Sequence, residues 1–159
     1  MLVGIDPGFS GAIALLDPVT GKLAVHDMPT APNPKGRNET DLHGLARLLA
    51  PTWEGRSIAM LEFVAARPGQ GVASMFRFGQ HYGTVQMALA GHGYEVHYVT
   101  PQLWKKHFKL SKDKGVSRGL ASRRFPANSE SYGRVKDDGR AEASLIALYG
   151  LETLNRLKA

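Results

Sequence analysis

Residues 2–28 read LVGIDPGFSGAIALLDPVTGKLAVHDM, three short runs of apolar or alternating residues with turn sequences between them. The turns contain Asp-Pro pairs that begin at Asp6 and Asp17, and such pairs favour tight turns. Residues 22–28 alternate apolar and polar side chains, as a half-buried strand does. Three strands joined by two tight turns predict an antiparallel meander at the start of the chain.

The rest of the chain alternates between strand and helix patterns. Apolar spacing predicts helices over about 41–50, 72–90, 101–108, 115–124 and 138–157, strands over 57–61 and 94–99, and a loop rich in Pro, Asn and Gly over 29–38. This order predicts an α/β fold: a mixed five-stranded sheet, in which parallel strands extend the meander, flanked by helices. At 159 residues the chain is expected to form a single domain, 1–159.

The chain is basic, with 20 Lys and Arg against 14 Asp and Glu, a net charge of +6. This balance favours a polyanionic partner such as nucleic acid. Without cysteine there is no disulfide or thiolate metal site, and no Walker A loop indicates a nucleotide cofactor. No apolar run approaches a membrane span of about 20 residues, and the start lacks a signal-peptide pattern. We therefore expect no membrane partner and a cytoplasmic location.

Two carboxylates follow apolar runs that have the character of buried strands. Asp6 ends the run at residues 2–5, and Glu62 ends the run SIAML at residues 57–61. Asp6 can also be explained as a turn residue, as Asp17 is, and Glu62 as a surface residue beyond its strand. A charge at the end of a buried strand is nevertheless costly unless it is paired or bound to a metal.

A second acidic pair, Asp138 and Glu142, has i, i+4 spacing at the start of the last helix. The two side chains share one helix face, where like charges oppose helix formation unless a cation lies near them. Helix capping by Asp138 and a favourable first-turn position for Glu142 form the alternative explanation. Asp137 is the fallback for Asp138.

Together these four acids form an oxygen-only ligand set of the type that Mg²⁺ prefers, with Mn²⁺ as a substitute. Two such ions can activate water and stabilise an in-line phosphodiester displacement. The six histidines lack metal-binding spacing, which argues against zinc.

The chain resembles the RuvC-type Holliday junction resolvases, and in particular their bacteriophage branch. The resemblance rests on five motifs in order, namely Gly4-Ile5-Asp6-Pro7-Gly8, the strand-end Glu62, Phe78-Gly79-Gln80-x-x-Gly83, Thr100-Pro101-x-x-Trp104-Lys105-Lys106 and Asp138-Gly139-Arg140-Ala141-Glu142-Ala143. The family has a ribonuclease-H-like fold, acts as a homodimer and makes paired symmetric nicks in a four-way DNA junction. The resemblance implies that Asp6, Glu62 and Glu142 are catalytic acids. The remaining acid of cellular members falls on Gly139 here, so Asp138 takes its place.

The segment from Pro101 to Arg124 carries eight basic residues and one acid. A solvated helix face usually mixes signs, so this run predicts phosphate contacts. By resemblance, Lys105 or Lys106 lies near the scissile phosphate and acts in catalysis. The other predicted DNA contacts are Trp104, Lys109, Lys112, Lys114, Arg118, Arg123 and Arg124.

The spacing Gly79-x-x-x-Gly83 indicates a helix that packs closely against a neighbour, either the sheet of the same chain or, as the resemblance implies, a second copy. Phe63 and Phe76 are candidates for an aromatic wedge at the junction centre.

Three other functions compete with a junction resolvase. A kinase or actin-like protein shares the Asp-x-Gly turn but needs two such domains, which 159 residues do not supply. Another nuclease of the same fold, such as an rRNA-processing relative, begins with a similar motif. A non-catalytic DNA-binding module would bind with steep salt dependence and without Mg²⁺-dependent cleavage.

Overall fold

The structure is a computed structural model that describes residues 1–50, 55–66, 68–111 and 114–154. Its strands are β1 (Leu2–Asp6), β2 (Ala12–Leu16), β3 (Leu23–Asp27), β4 (Thr30–Pro32), β5 (Asn38–Thr40), β6 (Ile58–Glu62) and β7 (Glu95–Val99). Its helices are α1 (Leu42–Leu49), α2 (Val72–Gly91), α3 (Pro101–His107), α4 (Lys114–Arg124) and α5 (Asp138–Leu154). Two 3-10 segments, Pro126–Tyr132 and Val135–Asp137, connect α4 to α5. Residues 155–159, which include the last three residues of the helix predicted over 138–157, lie outside the described ranges.

Five strands form one mixed sheet in the order β3-β2-β1-β6-β7. The first three are antiparallel, and β6 and β7 run parallel to β1. This arrangement confirms the predicted sheet, a meander extended by parallel strands. Because Ile5 pairs with Leu61, the carboxyl ends of the central strands β1 and β6 lie side by side. The sheet thus brings the strand-end residues Asp6 and Glu62 to the same edge.

Helices cover both faces of the sheet, because the alternating side chains of β1 point to opposite sides. Val3 and Ile5 pack with α1 and α2, whereas Leu2 packs with α5. Helix α5 lies directly against β1 at Gly4, where an added Cβ atom would come within 2.2 Å of the Ala143 carbonyl oxygen. This close approach fixes the start of α5, and with it Glu142, beside the end of β1.

The segment 29–38, predicted as a loop, takes part in a short hairpin instead. Strands β4 and β5 pair antiparallel outside the main sheet. The Asn33 side chain accepts hydrogen bonds from the amides of Lys35 and Arg37, and Gly36 adopts a left-handed φ of 71°. Turn chemistry therefore closes a hairpin in a segment whose composition alone indicated irregular structure.

Helix α2 has one face packed on the sheet, and its opposite face is left uncovered by the residues that the structure describes. His81, Val85 and Leu89 are buried. On the opposite side, an added Cβ atom at Gly79 or Gly83 would meet no atom within 4 Å. The two glycines therefore do not serve packing against this chain's own sheet. None of the helices in the described ranges is long and apolar enough to cross a membrane.

Candidate active site

Asp6 is the last residue of the central strand β1, and the turn that follows fixes its position. Its Oδ1 atom accepts a hydrogen bond of 3.2 Å from the Gly8 amide. The chain then folds back so closely that a Cβ atom on Gly11 would lie 2.2 Å from the Asp6 carbonyl oxygen. A residue with a side chain does not fit there, so the glycines of this turn keep the carboxylate at the sheet edge.

Glu62, at the end of the adjacent strand β6, is buried with only 9% of its surface exposed. Its Oε1 atom accepts a hydrogen bond of 2.9 Å from the indole N–H of Trp104 on α3. The Tyr82 hydroxyl donates to the Glu62 backbone carbonyl at 3.2 Å. The indole thus orients the Glu62 carboxylate, and Tyr82 fixes the backbone at the end of β6.

Glu142 reaches the same place from the first turns of α5. Its Oε1 atom lies 2.9 Å from the Lys105 ammonium nitrogen, which also lies 4.9 Å from the centre of the Trp104 ring. Helix α3 therefore supplies one residue to each of two acids, Trp104 to Glu62 and Lys105 to Glu142.

The carboxylates of Glu62 and Glu142 lie close enough to Asp6 to affect its ionisation. Burial, reinforced by the charges of Glu62 and Glu142, raises the pKa of Asp6 to about 7. Burial also raises the pKa of Glu62, with a further contribution from Glu142 and opposition from the Trp104 hydrogen bond. Lys105 acts in the other direction on both acids. Acids with raised pKa values at one sheet edge are typical of functional sites.

As the side chains stand, no group of three or more His, Asp or Glu residues in the described ranges is gathered tightly enough to hold a metal ion. The donor chemistry nevertheless suits a hard cation, because the converging groups are all carboxylates. The Lys105 ammonium already lies beside the acids, which shows that the site attracts positive charge.

The two candidates for the fourth acid differ in their surroundings. Asp138 lies in the first turn of α5, where its carboxylate pairs with Arg118 of α4. Asp137 is buried at 2% exposure and is bound by Arg134, whose Nη2 atom lies 2.8 Å from its Oδ1. The Asp137 carboxylate thus closes the 3-10 segment before α5. Because the Asp137 carboxylate is bound in this way, Asp138 is the better candidate of the two for the fourth metal ligand.

Gly139 explains why this chain has no acid at the position that the resemblance indicates. An added Cβ atom there would lie 2.6 Å from the Ser10 carbonyl oxygen and 2.8 Å from the Gly11 Cα atom. The start of α5 packs directly on the turn after Asp6, and any side chain at position 139 would push the two apart.

The described basic residues of the segment 101–124 lie in two environments, one exposed and one paired with acids. Lys106, Lys109 and Arg123 are exposed. Arg118 pairs with Asp138, and Arg124 pairs with Glu152. Lys112 lies outside the described residues, and the side chain of Lys114, the first residue of α4, is likewise not described.

Trp104 was predicted among the DNA contacts, but the structure places it in the core. Its side chain has no exposed surface, and its indole N–H binds Glu62. The sequence carried no signal for this pairing, because the two residues are 42 positions apart. The pairing of Lys105 with Glu142, 37 positions apart, was missed for the same reason. By contrast, the wedge candidates Phe63 and Phe76 are exposed at 48% and 67%.

Comparisons with known proteins agree with this architecture. No model of a known protein family matches the chain. Over 112 residues, 67% of the chain, it is 31% identical to the chloroplastic Holliday junction resolvase MOC1 of Chlamydomonas reinhardtii. The matched segment spans only 13% of that protein's length.

Two solved structures of RuvC from Thermus thermophilus resemble the chain over nearly its whole length. RuvC in complex with a Holliday junction substrate superposes with a TM-score of 0.60 and 15% identity, covering 97% of this chain and 94% of RuvC. A second RuvC structure gives a TM-score of 0.58 and 13% identity, with 94% of each chain covered. The chain therefore has the ribonuclease-H-like fold of RuvC.

Proposed function

We propose that this chain is a structure-selective DNA endonuclease that resolves four-way junctions by paired symmetric nicks, through two-metal-ion phosphodiester hydrolysis. The observation that supports this most directly is the convergence of Asp6, Glu62 and Glu142 at one sheet edge, with Lys105 paired to Glu142 beside them. The likeness in sequence to a junction resolvase and in fold to RuvC supports the same function.

In this proposal Asp6, Glu62, Glu142 and Asp138 hold Mg²⁺, or Mn²⁺ in its place. Bound there, such cations would supply activation of water and charge neutralisation at the phosphate. Asp6 must be ionised to act as a ligand. Burial and the charges of Glu62 and Glu142 raise its pKa, so a cation bound nearby would favour the ionised form. Trp104 keeps the Glu62 carboxylate oriented by occupying one of its oxygens.

Lys105 has two partners in the proposed cycle. Without DNA it pairs with Glu142 at 2.9 Å. Its side chain is 35% exposed, so the ammonium can turn from Glu142 to a phosphate at the mouth of the site. There it offsets charge that develops on the phosphate or the leaving oxygen. Lys106, the neighbouring exposed lysine, is the second candidate for this role.

The DNA backbone is proposed to lie over the basic segment beside the acids. Exposed Lys106, Lys109 and Arg123 are available for phosphate contacts, and Arg118 adds a charge next to Asp138. Such contacts supply affinity without sequence information. Lys112, Lys114 and Arg124 remain predicted contacts. Of the wedge candidates Phe63 and Phe76, Phe63 is the one that lies outside the dimer face proposed next.

We further propose that the chain acts as a homodimer through the exposed face of α2. This dimer face consists of Val72, Phe76, Gly79, Gly83 and Met87, which follow one another at helical spacing. Val72, Phe76 and Met87 are 86%, 67% and 67% exposed, and the glycines allow a second helix to approach closely. An exposed apolar row of this kind marks an interaction site. A two-fold pair presents two sites to a two-fold junction.

We propose that residues 1–159 form one endonuclease domain that acts inside the cell. The place of the chain in the bacteriophage branch stays a prediction. Another nuclease of this fold, such as an rRNA-processing type, and a non-catalytic DNA-binding module are the alternatives. Substrate choice separates the first from a resolvase, and metal-dependent cleavage separates the second.

The decisive test is a cleavage assay on a synthetic four-way junction with Mg²⁺ titrated from zero, run on the wild type and Asp6→Asn. We expect metal-dependent paired nicks from the wild type and none from the variant, which should still bind the junction. Asp17→Asn, in the other and exposed Asp-Pro turn, is the matched control and should cut normally. Full cutting by Asp6→Asn would refute the metal site, and equal cutting of a linear duplex would refute structure selectivity.

A further inference from the structure

The turn that follows Asp6 is packed between two helices, α5 and α2. On one side, Gly139 of α5 packs against the backbone of Ser10 and Gly11. On the other side, the Phe9 ring stacks on the His81 imidazole of α2, with 4.5 Å between ring centroids and 26° between the planes. The turn therefore cannot shift without disturbing one of these two contacts.

His81 also connects this turn to the β4–β5 hairpin. It is buried at 1% exposure, and its Nδ1 atom lies 2.7 Å from the Thr40 hydroxyl at the end of β5. One helical turn earlier, Arg77 lies over the Phe9 ring at 5.3 Å and donates to the Asn38 carbonyl at 2.5 Å. Helix α2 thus holds the hairpin and the Phe9 ring together through two neighbouring side chains.

The Asp6 carboxylate depends on this turn for its orientation. In the described part of the chain, the hydrogen bond it accepts comes from the Gly8 amide, at a long 3.2 Å. A weak bond from its own turn cannot hold a ligand if the turn moves. Burial lowers the pKa of His81, so the ring is neutral near pH 7 and stacks on Phe9 without placing a further charge near the acids.

We propose that His81 is a positioning residue for the carboxylate of Asp6, acting through the Phe9 ring and anchored by Thr40. This inference deepens the proposed function and rests on it. Groups that hydrogen-bond a metal ligand typically change metal affinity 10- to 100-fold when they are removed, and His81, which acts one contact further away, is placed at the lower end of that range. The effect of losing His81 should therefore appear in metal binding and in the chemical step, and not in DNA binding.

The test measures Mn²⁺ binding to the DNA-free protein by electron paramagnetic resonance, alongside kcat and KM for junction cleavage. We expect His81→Ala to weaken Mn²⁺ binding about tenfold and to lower kcat, with little change in KM. His81→Phe retains a ring against Phe9 and should recover most of the affinity. His43→Ala, at an exposed histidine of α1, should match the wild type.

Phe9→Ala removes the same contact from the partly buried turn and should weaken Mn²⁺ binding as His81→Ala does, so the test does not depend on one variant folding. Wild-type Mn²⁺ affinity in folded His81→Ala or Phe9→Ala would overturn the inference, even if the melting temperature fell. Wild-type protein that binds no Mn²⁺ would refute the proposed function and the inference with it. Mn²⁺ binding that is lost in Asp6→Asn and intact in both folded contact variants would refute the inference alone.

Discussion

Lys105 and Glu142 form an ion pair at the acidic edge of the sheet, with 2.9 Å between the ammonium nitrogen and Oε1. The same ammonium lowers the pKa values of Asp6 and Glu62, both of which burial raises. One flexible cation therefore offsets part of the repulsion among three carboxylates. In the proposed reaction, this cation is also the nearest one available to a phosphate.

Replacing Lys105 with Gln should slow junction nicking about 10²-fold or more, because a charge aimed at the reacting phosphate is typically worth that much. Single-turnover cleavage at saturating enzyme measures this loss without a contribution from binding. Lys106→Gln should cause a smaller loss, since Lys106 is exposed and makes no ion pair in the structure's described part.

Lys22→Gln, in the exposed β2–β3 turn, controls for the loss of one positive charge and should leave the rate unchanged. A larger loss for Lys106→Gln than for Lys105→Gln would assign the catalytic lysine to position 106 and contradict the role given to the Glu142 pair.

The raised pKa of Asp6 makes the stability of the metal-free protein depend on pH. The usual value of 3.8 applies to the unfolded chain, whereas the folded protein holds the proton up to about pH 7. The folded state therefore binds more protons between these values. The stability from protonated Asp6 is present in full below about pH 4 and is lost as the pH rises through about 7.

We expect Asp6→Asn to unfold at higher urea concentration than the wild type at pH 8, by on the order of 2 kcal/mol, and to resemble it near pH 4. Millimolar Mg²⁺ should stabilise the wild type at pH 8 and leave the variant unaffected, because ligand binding stabilises only a protein that has the site. Glu130→Gln, at an exposed acid of the 3-10 segment Pro126–Tyr132, provides the reference at both pH values. An Asp6→Asn variant that is less stable than the wild type at pH 8 would show that Asp6 is not a strained acid.

The sheet was predictable because its signals are local. Apolar runs bounded by turn sequences gave all five strands of the main sheet, and helix α2 was predicted over 72–90 and observed over Val72–Gly91. The strand-end acids were predictable for a related reason, since parallel strands β1 and β6 bring their carboxyl ends to one edge.

Features that depend on contacts between distant segments were not predictable. The β4–β5 hairpin depends on Asn33 side-chain bonds and on α2, neither of which alternation reveals. Trp104 looked like an aromatic within a basic surface, and only the packing of α3 against β6 shows that it is buried on Glu62. The exclusion of an acid from position 139 likewise follows from the contact of α5 with the turn after Asp6.

Asp138 and Asp137 should respond differently to removal of their charge. Asp138→Asn should reduce nicking at least 10²-fold and cost at most about 1 kcal/mol of stability, since its pair with Arg118 is partly exposed. Asp137→Asn should cost roughly 1.5–3 kcal/mol, because the buried Asp137 carboxylate accepts charge-assisted hydrogen bonds from the more exposed Arg134. Urea denaturation and single-turnover cleavage on the same samples separate the two effects.

The double variant Asp138→Gly with Gly139→Asp moves the acid to the position indicated by the resemblance. It should not recover activity, because a side chain at 139 collides with the Ser10 carbonyl and Gly11. Recovery of nicking by the double variant would mean that the turn after Asp6 can move to accept a side chain at position 139. Normal nicking by Asp138→Asn, together with loss of nicking in folded Asp137→Asn, would reassign the fourth ligand to Asp137.

The dimer face of α2 can be tested at its glycines, because an added Cβ atom there meets no atom of the described residues. An added Cβ atom at position 83 meets no atom of the described residues within 4 Å, and the substitution removes a helix glycine, so Gly83→Leu should leave the monomer at least as stable as the wild type. The same side chain should keep a second α2 helix from approaching. We therefore expect monomers by analytical ultracentrifugation where the wild type forms dimers.

On a plasmid cruciform, the Gly83→Leu variant should release nicked circles, whereas the wild type should release linear product from paired cuts. Gly119→Ala on α4, where the added Cβ makes only an ordinary 3.6 Å contact, controls for helix propensity and should behave as the wild type. A stable Gly83→Leu dimer that still makes paired cuts would place the dimer interface elsewhere on the molecule.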